Sequence, residues 1–187
     1  PRREGKIVKP HRPLSEAYWV EPGRFLAGEY PGEAEERRAR GRLRALLAAG
    51  ITVFVDLTLP GELRPYAAWL RAEAAALGRI AVHWRFPVPD FGVPRSPLEM
   101  NLILDAIDDV LEVGGCLYLH CRGGVGRTGT VVGCWFVRHG LRSEDALMRL
   151  AAFWRDVPKA VEYPESPESD EQRRYVRAWA THDRISR

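Results

Sequence analysis

Two residues in the stretch HCRGGVGRTG, at 120–129, have the types and spacing to do chemistry together. Cys121 is a thiol and Arg127 a planar cation, with five residues between them. A thiolate is a strong nucleophile, and a guanidinium offers a fork of donors to two oxygens of one anion. The same stretch also spells Gly124-x-Gly126-x-x-Gly129, the spacing of a dinucleotide-binding fingerprint. The two patterns make different demands on the surrounding residues.

The dinucleotide pattern wants its first glycine directly after a strand and an acidic residue about 20 positions on. Here His120, Cys121 and Arg122 intervene, and 143–152 reads as a helix. A Walker A loop wants a lysine after its glycines, and none follows.

The thiol pattern accounts for each position. A free cysteine is only about 3% thiolate at neutral pH. Loop amides, a helix N-terminus and Arg127 would all favour the Cys121 anion. The same donors suit a phosphoryl group: Arg127 for two oxygens, and the amides of Arg122, Gly123, Gly124, Val125 and Gly126 for the third. Glycines at 123, 124 and 126 let the backbone close around a tetrahedral anion. Thr128 offers its hydroxyl to the sulfur, first as nucleophile and later as leaving group. Most cysteines are inert core thiols, but few of those stand at a strand end before glycines and an arginine.

The elements that must position this loop are legible. CLYLH (116–120) is a strand entering it, and RTGTVVGCWFVRHG (127–140) is a mostly apolar helix leaving it. Upstream, 24–30 reads as a short strand and 31–50 as a helix with Leu43, Leu46 and Leu47 turned inward. ITVFVDL (51–57) reads as a buried strand, 64–78 as a second helix, and IAVHWRF (80–86) as a strand. PVPDFGVPRSP is a Pro-rich loop. Ser96, Pro97 and Glu99 have capping-box spacing for the next helix, whose apolar positions are 98, 102, 103, 107, 110 and 111. Ser143 is placed to cap a further helix, and 170–182 reads as the last. Residues 1–23, rich in Pro, Arg and Gly, read as a surface segment. Alternating strands and helices imply an α/β fold: a central, mainly parallel twisted sheet flanked by helices. We expect a basic extension over 1–17 and one domain over 18–187.

His120-Cys121-x-x-Gly124-x-x-Arg127-Thr128-Gly129 resembles the signature loop of the cysteine-dependent protein tyrosine phosphatase superfamily. The short chain is similar to its dual-specificity branch, including small microbial members, over most of 18–182. The resemblance implies a metal-independent phosphomonoester hydrolase with a phosphocysteine intermediate and no cofactor. It also implies an aspartic acid, on a loop upstream of the nucleophile, that protonates the leaving oxygen. Asp90 in PVPDFGVP fits, with Asp56 as second choice and a structural group by preference. The resemblance makes Gln172 the residue that positions the hydrolytic water, and His120 a residue that orders the loop. Glu29, Glu62 and Arg64 are candidate pocket residues, Glu62 as partner of a loop arginine.

The expected substrates are phosphorylated proteins, bearing phosphotyrosine and also phosphoserine or phosphothreonine; a phosphoinositide is the alternative. Loop lysines, usual in the lipid phosphatases, are missing: the chain has lysine only at 6, 9 and 159. A sulfurtransferase, an arsenate reductase and a non-catalytic phosphate-binding module also use such loops, but this chain keeps the Cys, Arg and Asp together. A net charge of +3 and no aromatic-basic stripe argue against nucleic acid as partner, an RNA 5′-triphosphatase included. The arginines at 37–44 stand beside Glu33, Glu35 and Glu36, so a solvated helix face explains them better than a polyanion site. Cys116 and Cys134 read as core thiols rather than redox partners. Three cysteines make no disulfide framework, and five dispersed histidines show no metal-ligand spacing. No apolar run approaches the roughly 18 residues that span a bilayer, so a cytoplasmic monomer is expected.

Overall fold

The computed structural model describes residues 11–185. The basic arm at 1–10 lies outside the described residues.

Among the described residues, five strands form one sheet in the order β1-β2-β5-β3-β4. They are β1 Ala17–Glu21, β2 Phe25–Gly28, β3 Val53–Asp56, β4 Val82–Arg85 and β5 Leu117–His120. β1 runs antiparallel to β2, and all other neighbours are parallel. Among the described residues the α-helices are α1 Glu36–Ala48, α2 Ala67–Ala76, α3 Pro97–Glu112, α4 Gly126–Arg138, α5 Ser143–Trp154 and α6 Asp170–Ile185, with a 3-10 turn at Pro158–Val161. The expected α/β class is therefore the observed one.

β1 corrects the surface reading of 1–23. Its AYWVE alternates weakly, but Ala17, Tyr18 and Val20 are buried against the sheet and its helices. The antiparallel turn at Pro22–Gly23, with Gly23 at φ 74°, closes the hairpin with β2.

Two cores sandwich the sheet. Alternation in β5 divides them: Leu117 and Leu119 pack with α3–α6, while Tyr118 packs with Leu43, Leu46, Leu47 and Leu70 of α1 and α2. α4 lies inside the larger core, which explains the apolar run Val131–Val137 within it.

Three helix expectations need adjustment. Ser96 does cap α3, accepting from Glu99 N–H, but the Glu99 carboxylate accepts from Arg95 N–H (2.8 Å) rather than from the cap residue. In α3, Leu98 and Leu102 are exposed, and Met100 and Leu104 take the inward positions. The stripe is rotated because α4 and α6 cover α3 from a side its sequence does not identify. Ser143 is the first residue of α5, not its cap, and its hydroxyl donates to the Arg177 carbonyl (3.0 Å).

Arginines 38, 40, 42 and 44 pair with Glu29, Glu33, Glu35, Glu36 and Glu73. They form an ion-paired helix face. Among the described residues, no helix is long and apolar enough to cross a membrane.

The parallel register puts Gly28, His120, Asp56 and Arg85 side by side at the carboxyl ends of β2, β5, β3 and β4. In open α/β sheets this is the edge from which loops build sites.

Candidate active site

β5 delivers Cys121 to that edge, and α4 begins five residues later. The loop between them must turn sharply over β2. Gly124 makes this feasible in two ways. Its φ is +77°, in the left-handed region, and a Cβ there would stand 2.5 Å from the Gly28 carbonyl carbon. Arg122 C=O accepts from Tyr30 N–H (3.1 Å), which ties the loop to the chain leaving β2. Gly124 N–H donates to Cys121 Sγ at 3.3 Å, and the sulfur's residue is 3% exposed.

Arg122, Gly123, Gly124, Val125, Gly126 and Arg127 are thus consecutive residues of one turn and the first residues of α4. Arg122 is exposed at its rim. Arg127 points back under the turn and is 2% exposed. Its two terminal nitrogens donate to both oxygens of Glu62, at 2.8 and 2.7 Å. Nη1 also donates to the Val88 carbonyl (3.1 Å), and Nη2 lies 2.8 Å from Asp90 Oδ1. Burial disfavours the cation, but the Glu62 hydrogen bonds and the charges around it hold Arg127 above its ordinary value. The Arg127 hydrogen bonds hold Glu62 below the usual carboxylate range against the effect of burial.

Asp90 sits on the loop after β4 with its side chain 36% exposed. The loop is fixed locally. Phe91 adopts φ 58°, rare for a bulky residue, and its N–H donates to Asp90 Oδ1 (3.2 Å). Gly92 N–H donates to the Pro89 carbonyl (3.1 Å). The exposed Phe91 ring stands beside the acid.

His120 is fully buried below the loop. Tyr66 Oη lies 2.6 Å from His120 Nε2, and His120 Nδ1 lies 3.4 Å from the Cys121 carbonyl. Burial pushes His120 down to about 4 although Asp56 opposes this. Tyr66, raised well above its ordinary value by burial, keeps its proton. The consistent pattern is a Tyr66 O–H donor and a neutral His120 protonated at Nδ1. His120 thus joins Tyr66 to the Cys121 carbonyl at the base of the loop.

Asp56 is also structural. Its buried carboxylate holds Arg85 (2.8 Å), His83 (2.9 Å) and the Thr58 N–H and hydroxyl (2.9 and 2.7 Å). Burial favours its neutral form, yet His83, His120 and Thr58 together bring it below the ordinary carboxylate range.

Three expected contacts fall differently. The Thr128 hydroxyl bonds to the Gly28 carbonyl at 3.5 Å, a long bond that ties α4 to β2 rather than to the sulfur. Gln172 is fully buried, with Nε2 donating to Gly92 C=O (3.0 Å) and Oε1 accepting from Ser169 N–H (3.2 Å). It ties α6 to the loop of Asp90. Arg64 donates to Ala34 C=O (2.6 Å) and stacks over the Trp69 ring. Glu29 bridges Arg42 and Lys159 (2.5 Å each), and Lys159 Nζ reaches Gly123 C=O at 3.4 Å. Cys134 is buried in the core, and burial pushes Cys116 up to about 11.

Tyr66, Lys159 and Glu168 were missed by the sequence reading. The Glu168 carboxylate lies against Gly126, where a Cβ would stand 2.2 Å from its Oε1. Its one sequence signal was a place four residues before Gln172 in an acidic Pro-broken loop.

A buried thiol on an amide-rich turn, a clamped arginine and a carboxylate beside it meet at this edge of the sheet. The model of the "Swiss Army Knife protein, DSP-PTPase phosphatase domain" family matches residues 14–177, and the chain belongs to this family. Protein 067L of Invertebrate iridescent virus 3, named as a tyrosine phosphatase, is 28% identical over 126 residues. That match covers 65% of this chain but 46% of the viral protein, so the chain spans about half of that relative. Among solved structures, the active form of Tk-PTP superposes with a TM-score of 0.66 at 24% identity, covering 89% of this chain and 97% of that one. PTPMT1 in complex with PI(5)P superposes with a TM-score of 0.65 at 14% identity, covering 91% and 98%.

Proposed function

We propose that the protein hydrolyses phosphomonoesters through a phosphocysteine. The observation that carries this reading is the set of contacts at the β5–α4 turn: Gly124 N–H donates to Cys121 Sγ at 3.3 Å, and Asp90 Oδ1 lies 2.8 Å from Arg127 Nη2. Cys121 Sγ attacks phosphorus, the bond to the leaving oxygen breaks, and Asp90 delivers its proton to that oxygen. Arg127 and the amides of 122–126 hold the equatorial oxygens, on which transition-state charge resides. Water then attacks phosphorus, the P–S bond breaks, and Asp90 takes the water's proton. Thr128 supports the turn from below, and Gln172 keeps the Asp90 loop in reach.

Phosphorylated proteins are the favoured substrates. The exposed Phe91 ring beside Asp90 suits an aromatic leaving group. A phosphoinositide is the second reading. It is supported by Lys159, a lysine at the loop that the turn's own sequence lacks, whose ammonium also pairs with Glu29.

The test is phosphate release, in EDTA, from phosphotyrosine, phosphoserine and phosphothreonine peptides and a soluble phosphoinositide. Cys121→Ser serves as the blank. Peptide turnover lost in the variant supports a protein phosphatase, and turnover confined to the lipid supports the second reading. Equal release by variant and wild type overturns the mechanism.

A further inference from the structure

We propose that the outer edge of β4 is a docking site for an extended segment of another protein in which apolar and acidic residues alternate. The site lies outside the catalytic turn and does not depend on the phosphatase reading.

β4 is the last strand of the sheet, and no described strand pairs with its outer side. Val82 N–H donates to Thr52 C=O and Phe86 N–H to Asp56 C=O, both at 2.9 Å and both toward β3. In a parallel ladder alternate residues bond to the same neighbour. The N–H and C=O groups of His83 and Arg85, between these donors, therefore point outward. Such a row of main-chain groups is a template for an added strand.

The side chains of β4 select the strand that fits. Val82 and Trp84 are exposed on one face, and the exposed Ile80 stands just before them. His83 and Arg85 lie on the other face, where both bond to Asp56. That face opens into a groove of about 290 Å³ between α2 and β4, lined by Leu70, Arg71, Ala81 and His83. Among the described residues Arg71 has no ion-pair partner. An added strand lies about 4.8 Å from β4. Its side chains on one face extend the apolar strip of Val82 and Trp84. Those on the other face enter the groove, where a carboxylate supplies the charge that Arg71 lacks. The complement of VHWR is thus an alternation of apolar and acidic residues. A second copy of this chain fits less well. Antiparallel pairing of β4 with itself sets Arg71, His83 and Arg85 of both copies on one face, and no acidic side chain lines the groove to separate them. The carboxyl end of β4 lies at the edge of the sheet that carries Cys121, so a docked chain runs toward the catalytic turn.

The experiment uses a capped hexapeptide of alternating valine and glutamate. Hexapeptides of alternating valine and lysine, and of alternating serine and glutamate, are the controls. Amide hydrogen exchange, read residue by residue by NMR, reports the added ladder. In the free protein the amides of His83 and Arg85 are expected to exchange fast and those of Val82 and Phe86 slowly. Saturating valine–glutamate peptide is expected to slow His83 and Arg85 by about tenfold or more, and the controls are expected to leave them unchanged. Arg71→Glu, at an exposed helix position, is expected to weaken binding measured by calorimetry by about tenfold or more. Trp84→Ser is expected to weaken it as well. Circular-dichroism melts confirm that the variants fold, and the exchange result on the unaltered protein stands without them. The proposal is overturned if no binding is detected at millimolar peptide, or if the peptide binds without slowing those two amides. It is equally overturned if the serine–glutamate peptide binds as tightly, or if a folded Arg71→Glu variant binds unchanged. Protection of His83 and Arg85 in the free protein that vanishes on dilution assigns the edge to a second copy and overturns the proposal too.

Discussion

Glu62 grips Arg127 with both carboxylate oxygens, at 2.7 and 2.8 Å, from a loop 65 residues away in sequence. The pair is almost wholly buried on the arginine side, with 1% of that side chain exposed, and partly so on the glutamate side, with 12%. Bidentate pairing fixes the plane of the guanidinium as well as its position. Arg127 is thereby oriented before any phosphate arrives, and the entropy of ordering it is lost at folding rather than at binding.

Glu62→Ala is therefore expected to lower kcat/KM by about tenfold or more through a mispositioned Arg127. Steady-state kinetics on p-nitrophenyl phosphate check this, with a circular-dichroism melt to confirm folding. An unchanged kcat/KM in a folded variant would show that the pair is not needed to position Arg127.

Asp90→Asn keeps the shape of the acid loop but has no proton to give. Its rate on an alkyl or phenyl phosphate is expected to fall by a factor on the order of 10² or more, with a smaller loss on p-nitrophenyl phosphate. A wild-type rate on the alkyl ester rules Asp90 out as the acid.

Gly124→Ala combines a left-handed φ with a Cβ that would overlap the backbone of Gly28 and Glu29. The backbone on the other side belongs to β2 and cannot retreat cheaply. The turn must reshape, so phosphate binding measured by calorimetry is expected to weaken by at least about tenfold, one tenfold step being about 1.4 kcal/mol. Stability is also expected to drop by about 1–3 kcal/mol. Wild-type affinity in the variant contradicts the tight approach.

Tyr66→Phe removes the donor to His120 Nε2 and leaves a buried acceptor unpaired. A loss of about 1–3 kcal/mol follows, measured by urea unfolding. A variant as stable as wild type argues against this hydrogen bond.

The same histidine makes stability depend on pH. Burial holds it at about 4 in the folded protein, against about 6.5 in an unfolded chain. Between those values the unfolded chain binds more protons, so its contribution is fully present above about pH 6.5 and is lost as pH falls toward 4. Asp56, depressed in the folded state, adds its own loss only at lower pH. The urea midpoint is expected to decline from pH 7 to 5, and more gently in His120→Asn. A midpoint that rises over that range contradicts a buried neutral imidazole.

The sequence by itself determined the strand–turn–helix around Cys121, because the glycine positions and the Cys–Arg spacing are local and each has a local physical cause. It also determined the α/β class, since alternating apolar runs of strand and helix length leave few other packings. It placed Asp90 on a loop after a strand, and that loop follows β4. Tertiary structure alone decided what faces what. β1 was hidden because AYWVE is too short and too weakly alternating to declare itself without β2 beside it. The α3 stripe rotated because burial depends on which helices cover it. Thr128 turned to Gly28, and Gln172 became the tie to Gly92. Glu62, which the sequence already offered as partner of a loop arginine, joined Arg127 from 65 residues away, and Tyr66 and Glu168, which it did not offer, joined His120 and Gly126 from 54 and 42 residues away. Such contacts form only when the sheet register and the helix packing bring those segments together, and no local periodicity encodes them.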